Sequence, residues 1–331
     1  MKNFWKTGLW LAGLALFSFA VAQIGVDRLI REMEALKVGL MAIVALSLVR
    51  LFLQTRSWAT ALRQDGIRPT TSELMFLRLA SQGIGYLTIL GPAASEPMKI
   101  KLLQHHRGSA TAATLVDTGV YWVSAAFVLV AGLVSATLIF THSQRASLLL
   151  ASIVTAGIVV LVQPKLILSR LVLFLSRHAP RWLTKAAQIE TEIRTFARLH
   201  PAAIRQMLLL DLACQVLLLA EVATVLYFLH LPIRGGAILS IEAAGRAVRM
   251  IGGWLPARIG ADESGAAAAF AGLGMPAAAG LALALARRVR DMLNSLVGLL
   301  WLAWRARTDP NIADRTRVPS PMLSGALSCK L

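Results

Sequence analysis

Apolar residues in this chain gather in long runs, and most charges fall in short segments between them. Runs at about 9–24, 38–53, 115–140, 148–162, 207–229 and 276–304 each read as a bilayer-crossing helix, which takes about 20 largely apolar residues. Two further apolar stretches differ in kind. Residues 74–90 are short, hold Arg78, Gln82, Gly83 and Gly85, and end in Gly91-Pro92. Residues 237–274 are rich in Gly and small side chains and are interrupted at Pro256. Irregular backbone at membrane depth is tolerated only where protein or a watery cavity surrounds it, so both stretches predict re-entrant hairpins.

The charges between the runs predict the topology. Residues 55–73, 97–110 and 164–206 are heavily basic, and the positive-inside rule assigns all three to the cytoplasm. The first hairpin then enters from inside, the second from outside, and both chain ends are cytoplasmic. Eight ordinary spans, some of them short, are the alternative. The first run follows Lys2 and Lys6 and reaches Ala20-Val21-Ala22, which has the look of a signal-peptide cleavage site. An uncleaved first span is the preferred reading. Within 164–206, Trp182, Ala186, Ile189, Ile193 and Phe196 recur at three- and four-residue steps. That spacing predicts a basic amphipathic helix, lying on the membrane surface or packed on the protein's own loops.

The expected fold is all-α, a polytopic membrane helix bundle of about six full spans plus two re-entrant helical hairpins in inverted-repeat arrangement. Its expected parts are an N-terminal span and outer loop (1–37), a first transmembrane repeat (38–163), a cytoplasmic basic amphipathic segment (164–206), a second transmembrane repeat (207–305) and a disordered tail (306–331). The repeat rests on a shared layout. Gly91-Pro92-Ala93-Ala94-Ser95-Glu96 precedes a helix, with Asp117 early in the next long run. Leu255-Pro256-Ala257 leads through Gly260-Ala261-Asp262-Glu263 into a helix, with Arg287, Arg288 and Arg290 in the next long run. Paired interrupted segments in two halves point to a transport site near the membrane midplane.

Composition narrows the function. Only 15% of the 331 residues are charged, against about 25% in a soluble domain. A net charge of +17 on a soluble protein would suggest nucleic acid. Here the basic residues flank apolar runs, so a membrane lipid is the expected partner and nucleic acid is not. Cys214 and Cys329 form no disulfide framework, and the six histidines are scattered, so neither metal nor cofactor is expected. Without a phosphate-binding loop, an HExxH or a GxSxG, no enzymatic activity is expected either.

Ionisable residues inside spans are costly and mark functional sites. Glu242, Arg246 and Arg249 share one helical face, and Arg287, Asp291 and Asn294 share another. An inward arginine stripe suits a phosphate or carboxylate, because each guanidinium offers a planar fork of donors. Helix N-termini after Pro92 and Pro256 could add free amides for the same anion. The candidate substrate-binding set is Glu96, Asp117, Glu242, Arg246, Arg249, Pro256, Glu263, Arg287, Arg288 and Arg290. Internal ion pairing that merely holds the bundle together, such as Arg287 with Asp291, is the competing reading. Asp211 and Glu221 lie near the ends of their span, where a structural role is favoured.

At these residues the chain resembles the lysylphosphatidylglycerol synthase transmembrane-region family, also called flippase-like. The first half contributes Leu90-Gly91-Pro92-Ala93-Ala94-Ser95-Glu96, Lys99, Leu102-Leu103 and Asp117. The second contributes Ile241-Glu242-Ala243, Ala247-Val248-Arg249, Leu255-Pro256, Ile259-Gly260-Ala261-Asp262-Glu263, Gly272-Leu273-Gly274 and Leu285-Ala286-Arg287-Arg288-Val289-Arg290-Asp291. The likeness is greatest to the family's hopanoid-biosynthesis-associated members. Ser95, where the family usually has Gly, and Arg258 and Asp262 depart from the pattern. The resemblance implies translocation or handling of an anionic phospholipid or a hopanoid in the bacterial inner membrane. Lipid-biosynthesis enzymes and a second copy of the chain are further candidate partners. A membrane-embedded transferase, with Asp117 or Glu263 as base, and a non-transporting scaffold acting through 164–206 are the rivals.

Overall fold

The computed structural model describes residues 26–87, 92–103, 111–141, 191, 193–251 and 258–308. The expected spans at 9–24 and 148–162, Pro256, most of the amphipathic segment and the tail beyond Thr308 lie outside the described residues. The described regular structure is helical: α1 (Val26–Ala35), α2 (Lys37–Gln64), α3 (Thr71–Leu87), α4 (Pro92–Leu103), α5 (Thr111–Thr141), α6 (Pro201–Phe228), α7 (Gly235–Ile251), α8 (Ala261–Gly272) and α9 (Ala277–Thr308). Among the described residues, α2, α5 and α6 are long and apolar enough to cross a membrane. Helix α9 runs to 32 residues but carries Arg287, Arg288, Arg290 and Asp291 at its centre.

The helices after α1 fall into two matching sets of four. Helices α2 and α6 have 28 residues each. The helices that follow them, α3 and α7, have 17 each. Short α4 and α8 have 12 each. Long α5 and α9 have 31 and 32. The packing matches too: α2 lies on α6, α3 on α9, and α7 on α5. Helices α2 and α6 are antiparallel. Gly39 meets Phe228 at one end, Arg50 meets Cys214 in the middle, and Ser57 meets Asp211 towards the other end.

Two apolar cores form at opposite ends of this bundle. One gathers Trp58 and Leu62 of α2, Leu74 and Leu77 of α3, Leu103 of α4, Met207 of α6 and Leu302 of α9. The other gathers Leu36, Ile43, Val222, Leu226, Phe270 and Leu283. Between them α2 places Arg50, α6 places Asp211, Gln215 and Glu221, and α9 places Arg287 through Asn294. The bundle is thus apolar at both ends and polar through its middle.

The structure corrects the end of one expected span. Helix α2 does not stop near residue 53 but continues to Gln64. Trp58, Ala61 and Leu62 are buried on one side of it while Arg56 and Arg63 face out. The hydroxyls of Thr55 and Thr60 bond back to the carbonyls of Leu51 and Arg56, so these polar residues extend the helix rather than end it. Lys99, in the basic stretch 97–110, is 4% exposed and salt-bridged to Glu96 at 2.7 Å. Of the expected amphipathic face, Ile193 and Phe196 are described, and both pack on the first core, the second of the two readings of that segment.

Helix contacts inside a membrane rely on small residues, because lipid tails are as apolar as the side chains they would replace. A Cβ at Gly298 would run into the Leu79–Ala80 backbone of α3. At Gly132 it would meet the Leu239 carbonyl and Ala243 of α7. Gly298→Val is therefore expected to destabilise the purified protein in detergent by about 1–3 kcal/mol, the usual cost of overpacking. Gly119→Ala, on the same criterion, meets nothing within 4 Å and is expected to leave the unfolding midpoint unchanged or slightly higher. Thermal unfolding of the two variants side by side checks both.

Candidate functional site

The polar middle layer is built on two carboxylates. Glu221 of α6 and Glu242 of α7 are both 0% exposed. A buried carboxylate without a partner is costly, so each is surrounded by guanidinium groups. Glu242 contacts Arg246 at 3.2 Å, Arg249 at 3.0 Å and Arg287 at 2.8 Å. Glu221 contacts Arg50 at 3.6 Å and Arg287 at 3.4 Å, and it also accepts from Arg290. Arg287 touches both carboxylates, so it joins α6, α7 and α9 at one point.

Neutral groups extend the layer. Arg246 donates to the Gln215 side-chain oxygen at 2.5 Å, and the Gln215 amide donates to the Ser124 hydroxyl of α5 at 3.0 Å. Asn294 of α9 donates to the Ser47 hydroxyl of α2 at 3.1 Å. Asp291 takes Arg290 at 2.8 Å rather than Arg287, which replaces the pairing that one-turn spacing along α9 suggests.

A smaller charged unit sits at the start of α8. Gly260 takes φ +82°, a conformation open to glycine, and leads straight into the helix. The Glu263 carboxylate reaches back to accept the Gly260 amide at 2.9 Å and also binds Arg288 at 2.5 Å. The expected free amides at this helix start are thus taken in part by the helix's own acid. Arg258 and Asp262 pair beside it at 3.2 Å.

The predicted set therefore divides. Glu242, Arg246, Arg249, Arg287 and Arg290 meet in one cluster, with Glu263 and Arg288 on its flank. Glu96 and Asp117 do not join it. Glu96 binds Lys99 and accepts from Thr118, while Asp117 faces Arg78 at 3.4 Å. Pro256 lies outside the described residues. Sequence reasoning passed over Arg50 and undervalued Glu221. The signal for Arg50 was present: a lone arginine inside Ser47-Leu48-Val49-Arg50-Leu51-Phe52. Glu221 was discounted for its place in the run, yet the antiparallel α2 brings Arg50 opposite it.

Charge is not balanced here. Arg50, Arg246, Arg249, Arg287, Arg288 and Arg290 face Glu221, Glu242, Glu263 and Asp291, a surplus of two positive charges. Accessibility is uneven as well. The three glutamates are fully buried, while Arg288 and Arg249 keep 17% and 30% of their side chains exposed. Such an arrangement presents guanidinium donors to an incoming anion and hides the three glutamates behind them, while Asp291 stays 30% exposed.

The fold and the site together define a helical membrane protein with a cation-rich layer inside its bundle. The chain belongs to the lysylphosphatidylglycerol synthase TM region family, which matches residues 6–298. Membership ties it to lipid handling in a membrane. Comparison with curated proteins and with solved structures returned no match.

Breaking a buried ion pair leaves an uncompensated charge and costs about 3–5 kcal/mol. Glu242→Gln removes the carboxylate charge that Arg246, Arg249 and Arg287 share and is expected to lower stability by about that amount. Glu73→Gln, which removes an outer contact with Arg305 at 3.9 Å, is expected to change it by no more than about 0.5 kcal/mol. Denaturant or thermal unfolding in detergent measures the contrast.

Proposed function

We propose that this protein is a flippase-like transporter of the bacterial inner membrane, and that its cargo is a lipid with an anionic head group. The observation that carries this reading is the surplus of two positive charges in the layer between the two apolar cores. A phosphate-bearing head group would share the rim guanidiniums, while its acyl chains stay in the lipid. The likeness of the second-half motifs to the hopanoid-biosynthesis-associated protein HpnL keeps a hopanoid as the alternative cargo.

The mechanism on this reading is alternating access between two inverted repeats, α2–α5 and α6–α9. The equal helix lengths and the antiparallel α2–α6 pair support it, since a two-fold axis in the membrane plane reverses each helix onto its partner. On this reading α3 with α4, which reaches beyond the expected 74–90 stretch, and α7 with α8 form the two re-entrant hairpins. The protein on this reading catalyses no covalent chemistry. Glu263, the candidate base of a transferase, already has one oxygen on the Gly260 amide and the other on Arg288. Lipid-biosynthesis enzymes are proposed partners that would supply the cargo.

The test is exchange of head-group-labelled lipid between leaflets in liposomes holding the purified full chain. Labelled phosphatidylglycerol and a labelled hopanoid are compared, with a membrane-impermeant quencher as readout. Arg288→Ala is the informative variant, because Arg288 has the single described ion-pair partner Glu263. Wild-type exchange should exceed that of empty liposomes, and Arg288→Ala should lose about tenfold, the worth of one charge-assisted hydrogen bond. Exchange no faster than in empty liposomes across the panel, with folded protein, rejects the proposal. A new covalent lipid product would establish the transferase instead.

A further inference from the structure

A second polar cluster lies beside the first and is not absorbed by head-group binding. Asp117 of α5 and Asp211 of α6 are each 1% exposed. Asp117 faces Arg78 at 3.4 Å through one oxygen, while its other oxygen, Oδ1, has no hydrogen-bond partner. The Arg78 Nε is likewise buried and unpartnered. Asp211 accepts from the Ser57 hydroxyl at 3.4 Å, and no described cation stands within salt-bridge reach of it.

The charged and titratable groups facing the pair can be named helix by helix. Helix α3 brings Arg78, whose Nη1 is also held by the Gln54 carbonyl of α2 at 2.7 Å. Helix α4 brings Lys99 and Glu96. Helix α6 itself adds the Cys214 thiol, and α2 adds the Ser57 hydroxyl. Arg78 and Lys99 thus stand against Glu96, Asp117 and Asp211. With every acid ionised the cluster carries one uncompensated negative charge in a dry interior, which is costly. Taking up one proton makes it neutral.

We propose that Asp117 and Asp211 form a one-proton site, and that its occupancy is coupled to the arginine layer. The step is simple: one carboxylate takes a proton from the aqueous side and becomes a carboxylic acid, with Asp211, the acid lacking a cation, as its seat. The coupling has a physical route. Asp211 and Gln215 lie one turn apart on α6, and Gln215 accepts from Arg246 of the arginine layer. Glu221 lies on the same helix about 15 Å further on. The proton drives transport only if the flippase reading holds; the proton site itself stands without it.

Two measurements separate these. Infrared spectroscopy of the purified full chain in detergent reads the protonated-carboxyl stretch directly and needs no transport. A band present at neutral pH in wild type and missing in Asp211→Asn is the expected result. Asp117→Asn should lose it at neutral pH too, because the cluster is then neutral with Asp211 ionised. No such band in wild type, or the same band in both folded variants, overturns the proton site. In liposomes, an imposed pH gradient should change wild-type lipid exchange several-fold and leave Asp211→Asn exchange unaffected. Wild-type exchange that ignores the gradient overturns the coupling. Absence of all exchange instead rejects the flippase reading, and the infrared result still decides the site.

Discussion

Everything in the middle of this bundle depends on Arg287 standing between two carboxylates that water does not reach. Glu221 and Glu242 belong to different helices, and each needs a cation. Once Arg287 serves both, α6, α7 and α9 are fixed relative to one another at that depth. The remaining arginines then follow by the same rule. Arg290 and Arg50 complete Glu221, while Arg246 and Arg249 complete Glu242. Such networks contribute little net stability against an apolar core of equal volume, but losing one member is expensive. The apolar ends supply the packing, and the charged layer selects which packing.

The two halves carry this layer with reversed sign. Arg78 is the eighth residue of α3, and Glu242 is the eighth residue of α7. In the first half the short hairpin helix holds the cation and the following long helix holds the anion, Asp117. In the second half the hairpin helix holds the anion and the long helix holds the cation, Arg287. The same position on matching helices thus carries a cation in one half and an anion in the other, each paired with the long helix that ends its own set.

Much of the fold was legible because long apolar runs and their interruptions survive without tertiary context. Helices α5, α6 and α9 sit close to the runs that predicted them; residues 237–274 hold the helix pair α7 and α8, whereas residues 74–90, expected to form a hairpin, fall in the single helix α3 as far as Leu87. The end of α2 was misread because Arg56 and Arg63 resemble a loop charge pattern; only packing tells that Trp58 and Leu62 are buried between them. The arginine stripe was legible from spacing on single helices. Its partners were not, because Arg50 to Glu221 is a contact between antiparallel helices far apart in sequence. The burial of Lys99 was illegible for the same reason: its ammonium lies over the Trp58 ring at 5.7 Å, a contact made across helices.

The distribution of exposure within the charged layer differs from that of a purely structural network. A network that only holds helices together is best served by balanced charge and uniform burial, since every surplus ion adds desolvation cost. Here the three glutamates are sealed, and the partly open groups are Asp291 and the guanidiniums of Arg249 and Arg288, among which the surplus lies. Arginine suits that position because its five donors let one guanidinium hold a buried carboxylate and still offer N–H groups outward. An anion arriving at the rim would therefore add to the network without dismantling it. Its charge would offset the surplus that the fold otherwise carries unneutralised.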